Sequence, residues 1–140
     1  LSDRLKIPVY DKAYIEHEVE SHDYHSEAEA IRKLAENPCI ILGRCASDIL
    51  RDQPNVFNIY VCADKEDRIH RVMILRALPY EEAKKALEEA DARRADYYYR
   101  NTGKAWGDVN DYHMILDTSR LGVENCAGIL MQYFERMNYI

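Results

Sequence analysis

Residues 38–50 read PCIILGRCASDIL: a short apolar, β-branched run, a glycine, and then a segment of helix formers. A run of that length with no polar alternation is a strand buried on both faces rather than a surface strand. The glycine lets the backbone turn sharply into the helix that follows, Cys45 to Arg51. The segments on either side repeat the scheme. Val56 to Ala63 (VFNIYVCA) and Tyr112 to Asp117 (YHMILD) are further strands, with a shorter candidate at Ile7 to Tyr10.

Helical patterns separate these runs over Asp11 to Glu20, Ser26 to Glu36, Lys65 to Leu78, Pro79 to Arg100 and Val123 to Met137. Ser26 followed by Glu29 predicts a capping box, and Gly103 a helix stop. Strands alternating with helices predict an α/β fold, a parallel β-sheet flanked by helices. In such sheets ligands bind at the carboxyl ends of the strands. Those ends are Asp11, Gly43-Arg44, Asp64 and Asp117-Thr118-Ser119.

The length of 140 residues corresponds to one domain, 1–140. Nineteen Lys plus Arg against twenty-five Asp plus Glu leave a net charge of −6. This balance argues against nucleic acid and against an acidic membrane as partners, so any anion site is local. The longest apolar run, Ile59 to Ala63, is far short of the roughly 20 residues that span a bilayer. Cys39, Cys45, Cys62 and Cys126 form no C-x-x-C pair, which fits reduced thiols in a cytoplasmic protein. The chain opens inside an amphipathic helical pattern, LSDRLKI, which suggests that further residues precede Leu1.

Within this acidic chain, ARRADYYYRNTGKAWGD (92–108) gathers three arginines, a lysine, three tyrosines and the lone Trp106. On one continuous helix Arg93, Tyr97, Arg100 and Lys104 fall on one stripe, with Arg94 beside it. Such a stripe can close over a polyphosphate, its cations neutralising charge while the aromatics exclude water. The competing reading is a solvated helix face whose tyrosines pack on the domain. Arg44 is open in the same way: it holds a phosphate or base carbonyl at a strand end, or it pairs with Asp48 one helical turn later.

Other chemistries find less support. HEVESHDYH (17–25) sets His17, His22 and His25 among carboxylates but misses the H-E-x-x-H spacing by one residue, so no metal site is expected. No G-x-S-x-G elbow occurs, and Cys45 has no identifiable histidine partner. Base stacking on Tyr97 to Tyr99 lacks a companion RNA-binding motif.

Taken in order, IPVYDKAYI (7–15), PCIILGRCASDIL (38–50), EDRIHRV (66–72), RADYYYRNTGKAWGD (94–108) and YHMILDTSRLGVE (112–124) resemble the cytidylate kinase-like family of nucleoside monophosphate kinases. The combination of GRCA, TGKAWGD and LDTSRLG is the specific part. The resemblance implies a P-loop kinase-like three-layer architecture, incomplete at the N-terminus. It also implies transfer of the ATP γ-phosphoryl group, with Mg2+, to a nucleoside monophosphate such as CMP or dCMP. Residues carried over from it are Asp11 and Arg44 at the acceptor, Arg94 and Arg100 as catalytic lid arginines within 92–108, and Lys104 on the ATP. Asp67 and Arg68 are assigned to the helical framework behind the lid. A homodimer is compatible with this reading.

The family's G-x-x-x-x-G-K-[ST]-like phosphate loop occurs nowhere in the 140 residues. It is expected immediately upstream of LSDRLKIPVYD, on a strand that runs through the middle of the sheet. The acceptor-binding insert around Glu20 to Ser26 is also shorter than the family shows. The alternative to a kinase is a non-catalytic nucleotide-binding relative. A third reading makes the tyrosine-rich segment a protein interface.

Overall fold

In a computed structural model, which describes residues 1–21 and 23–139, the chain forms two compact units, Leu1–Asn58 and Ile59–Tyr139. All four expected strands form, each shorter than or equal to its apolar run.

The first unit contains helix α1 (Ser2–Leu5), strand β1 (Val9–Tyr10), helices α2 (Lys12–His17) and α3 (Tyr24–Leu34), strand β2 (Ile40–Ile41) and helix α4 (Ala46–Ile49). β1 and β2 pair in parallel, Val9 opposite Ile40 and Tyr10 opposite Ile41. Parallel neighbours need a crossover, which α2 and α3 supply. α3 packs on α2 and on α4, and the core of the unit is Ile15, Ala28, Ile31, Cys45, Ile49 and Leu50.

α3 begins earlier than expected, because its cap is Asp23 and not Ser26. The Asp23 carboxylate accepts the Ser26 backbone N–H at 2.7 Å and the Ser21 hydroxyl at 2.6 Å. An extended Asp at the N-cap satisfies an N–H that the helix leaves without a partner. The capping-box residues Ser26 and Glu29 therefore lie inside the helix.

The second unit contains β3 (Ile59–Cys62), α5 (Lys65–Arg76), α6 (Tyr80–Thr102), a 3-10 turn at Val109–Asp111, β4 (Met114–Asp117), α7 (Thr118–Leu121) and α8 (Val123–Arg136). β3 and β4 pair in parallel over their whole length, from Ile59 opposite Met114 to Cys62 opposite Asp117. Their crossover is made by α5 and α6, which bury Ile69, Ala83 and Leu87 between them, flanked by Val72, Met73, Leu78 and Tyr80. Those buried positions recur at helical spacing, so each helix presents one apolar stripe to the other.

α6 stops where glycine predicts. Gly103 sits at φ 72°, a left-handed conformation that closes the helix by donating its N–H to the Tyr99 carbonyl at 2.8 Å. Lys104 consequently lies past the turn, off the helical stripe that Arg93, Tyr97 and Arg100 share.

The expectation of one parallel sheet holds only pairwise. Among the described residues the strands form two separate two-stranded sheets, β1–β2 and β3–β4, and each crossover joins strands of a single unit. Parallel strands are normally covered on both faces, yet Val9, Leu42, Val61 and Ile115 remain exposed. No described helix is long and apolar enough to cross a membrane.

Candidate functional site

The parallel pairing of β1 with β2 brings Asp11 and Arg44 to the same end of their sheet. Asp11 serves locally as the N-cap of α2, its Oδ1 accepting the Tyr14 N–H at 2.9 Å. Arg44 is held by an unusual piece of backbone. Gly43, Arg44 and Cys45 occupy the left-handed region consecutively, at φ 69°, 54° and 59°. For the two non-glycine residues that conformation costs about 1–2 kcal/mol each, and strain of this kind persists only where its surroundings fix it.

Here the fixing partner is Glu27 of α3. Arg44 Nη2 donates to both Glu27 oxygens, at 3.0 and 2.8 Å, with Glu27 only 2% exposed and the Arg44 side chain 15% exposed. Asp48, the partner weighed for Arg44 from sequence, accepts from Arg51, at 3.4 Å. The adjacent Cys45 is buried, and desolvation pushes its thiol up to about 11 despite the opposing Arg44 charge. A thiol with that character is not an activated nucleophile.

In the second unit the strand ends are stitched together. Asp117 caps α7, accepting the Ser119 and Arg120 N–H groups at 2.9 and 3.2 Å. Thr118 Oγ1 donates to the Cys62 carbonyl at 3.2 Å, and Ser119 Oγ accepts the Asp64 N–H at 2.8 Å.

A cluster of charges joins α5 to α6. Arg68 of α5 meets Asp91 of α6 in a two-pronged pair, Nη1 to Oδ2 at 2.8 Å and Nη2 to Oδ1 at 2.7 Å. Arg94 donates to the same Oδ1 at 3.3 Å. Its guanidinium carbon also lies 5.2 Å from the centre of the Trp106 ring, within cation–π range. One rung earlier on both helices, Lys65 holds Glu88 at 2.9 Å. The Asp91 hydrogen bonds, more than its charge alone, raise the Arg68 pKa further.

Trp106 in turn packs edge-on against Tyr60 of β3, with ring centres 6.0 Å apart, and Tyr60 stacks obliquely on Tyr112 at 5.0 Å. Gly107 follows at φ 89°, and a side chain there would meet the Tyr60 hydroxyl at 3.3 Å. Trp106 and Gly107 thus lie against β3 of their own unit. Arg100 keeps its own carboxylate, Asp96, at 2.8 Å, and Lys104 approaches Asp111 at 3.5 Å, the same carboxylate that accepts the buried Tyr98 hydroxyl at 3.3 Å.

A profile of the cytidylate kinase-like family matches residues 12–120. The chain belongs to the cytidylate kinase-like family. A solved structure, an uncharacterized protein from Eubacterium ventriosum, superposes on it with a TM-score of 0.89 over 96% of this chain and 87% of that one, at 22% identity. That likeness concerns the fold. No curated protein matches.

In this cytidylate kinase-like chain the sequence singled out Arg94 but set Arg68 aside and passed over Asp91 and Glu27. Only one signal pointed to Arg68 and Asp91: Lys65/Arg68 and Glu88/Asp91 share a three-residue spacing. That spacing becomes informative once the register between α5 and α6 is known. For the histidine-rich stretch, His22 lies outside the described residues, and the described ones hold no group of three metal-ligating side chains.

Proposed function

We propose that the protein is a phosphotransferase moving the γ-phosphoryl group of ATP to a nucleoside monophosphate such as CMP or dCMP, within the three-layer architecture of P-loop kinases. The observation that carries this reading is Arg94. In a chain of kinase-like family, its guanidinium is braced against Trp106, half in solvent, and donates to the Asp91 carboxylate at 3.3 Å.

Phosphoryl transfer needs positioning and charge neutralisation more than covalent chemistry. Guanidinium forks match phosphate oxygens geometrically, which suits Arg94 and Arg100 to the transferring group and Arg44 to the acceptor phosphate. Lys104 supplies a point charge for the nucleotide, and Asp11 faces the acceptor. Mg2+ bound with the nucleotide would supply charge neutralisation on the phosphate chain.

The reading requires a glycine-rich phosphate cradle, and G-x-x-x-x-G-K-[ST] is absent from these 140 residues. The alternative reading is a nucleotide-binding relative without transfer activity. Protein made from the complete reading frame separates the two. The kinase forms CDP or dCDP from ATP and the monophosphate. The binding relative takes up monophosphate in a calorimeter, with no dependence on ATP and no product. Absence of transfer to every nucleoside monophosphate defeats the kinase reading.

A further inference from the structure

Asp91 is a carboxylate held by two arginines. Two guanidiniums from different helices converge on it, Arg68 through a parallel fork at 2.7 and 2.8 Å and Arg94 at 3.3 Å. A paired fork of this kind is the geometry with which arginine holds carboxylates and phosphates alike. Both ends of the main pair are open to water, Arg68 at 31% and Asp91 at 28% side-chain exposure, so the carboxylate can leave without being stranded in a dry interior. The two arginines carry one more positive charge than Asp91 cancels, and a phosphate group brings more negative charge and a third oxygen.

We propose that Asp91 is an internal competitor of the phosphate ligand: its carboxylate occupies the Arg68–Arg94 site in the ligand-free protein and is displaced when a polyphosphate binds. The inference rests on the phosphate-binding role proposed above for Arg94 and adds to it Arg68 and the occupant that must be expelled. Asp91 is a positioning residue. It holds Arg68 and Arg94 together while the site awaits its ligand, and it weakens binding by the contacts it must surrender.

The test uses the protein from its complete reading frame, titrated calorimetrically with inorganic tripolyphosphate and with ATP, alongside its unfolding temperature without ligand. Asp91→Asn is expected to bind tripolyphosphate about tenfold tighter than wild type, while its ligand-free Tm falls because α5 and α6 lose a cross-link. A purely structural residue would not move stability and affinity in opposite directions. Glu88→Gln removes the same charge one rung away, from the Lys65 pair, and is expected to change affinity less than twofold. Asp91→Ser serves the same purpose if the asparagine variant does not fold.

Unchanged or weaker binding by the Asp91 variants overturns the proposal, as does an equal gain in Glu88→Gln, which would indicate a diffuse charge effect. Failure of wild type and variants alike to bind tripolyphosphate overturns it together with the phosphate role of Arg94. Kinase turnover with unaltered tripolyphosphate affinity in Asp91→Asn removes this inference alone. Tighter binding without any phosphoryl transfer keeps it and removes the kinase reading.

Discussion

Each unit of the molecule contains an arginine bound to a carboxylate by two hydrogen bonds, and the two pairs differ in nearly everything else. Arg44 offers a single nitrogen to both oxygens of Glu27, which is 2% exposed; Arg68 offers two nitrogens in parallel to Asp91, with about a third of each side chain in water. Opening the first pair takes the main charge partner from a buried carboxylate, at a cost of about 3–5 kcal/mol. Opening the second returns a carboxylate to solvent, where an exposed pair is worth about 1 kcal/mol or less. An anion brought to Arg44 must therefore bind with Glu27 still in place, whereas one brought to Arg68 and Arg94 can replace Asp91. Burial, more than the identity of the residues, separates the brace from the proposed binding site.

The largest test of that contrast is catalytic. Arg94→Ala is expected to lower kcat/KM for phosphoryl transfer about a thousandfold, equivalent to ~4 kcal/mol, with the far-ultraviolet circular dichroism unchanged. A loss below tenfold in a coupled assay would place Arg94 with the surface cations. Next comes the brace: Glu27→Ala should cost about 3–4 kcal/mol of unfolding free energy in urea, because it removes the buried carboxylate that anchors Arg44 within a strained turn. A cost under 1 kcal/mol would erase the distinction between the pairs.

Ile69→Ala sharpens the comparison from below, since Ile69 is fully buried one residue from Arg68. It should cost about 2–3 kcal/mol and weaken tripolyphosphate binding through the loosened contact of α5 with α6. A smaller effect is expected at high pH. The Cys45 thiol, raised by burial from 9.0 to about 11, is kept neutral by folding. Its contribution is fully present below pH 9 and lost as pH rises toward 11, so wild type should lose more Tm over that interval than Cys45→Ala. The smallest effect lies at the exposed cap of α3. Hydrogen bonds from Ser21 and the Ser26 backbone lower Asp23 from 3.8 to about 2. Stability from this group is present above pH 3.8 and disappears as pH falls toward 2, a decline that Asp23→Asn should lack.

Much of the fold could be read from residue order because its signals are local. PCIIL, NIYVC and YHMILD carry their β-branched runs wherever they are placed, and Gly103 ends α6 for a reason confined to one residue's φ. Asp23 was passed over as a cap because Ser26 with Glu29 makes the more familiar pattern three residues later. The pairing of strands into two sheets depends on partners distant in the chain, which no periodicity reports.

The candidate site divides in the same way. Arg94 and Arg100 stood out because cations and aromatics crowd into 92–108 of an acidic chain. Arg68 looked like ordinary helix surface, and Glu27 like one more exposed acid in α3. Their roles arise from contacts over separations of 23 and 17 residues, which burial and register create.

Trp106 has one more consequence. It is the single tryptophan in these 140 residues, and its indole touches both the arginine that proposed catalysis depends on and the β3 tyrosine that pins the segment down. A guanidinium against an indole face shifts its emission, and its departure shifts it back. The molecule therefore carries an optical gauge beside Arg94, readable in a stopped-flow instrument without any attached dye.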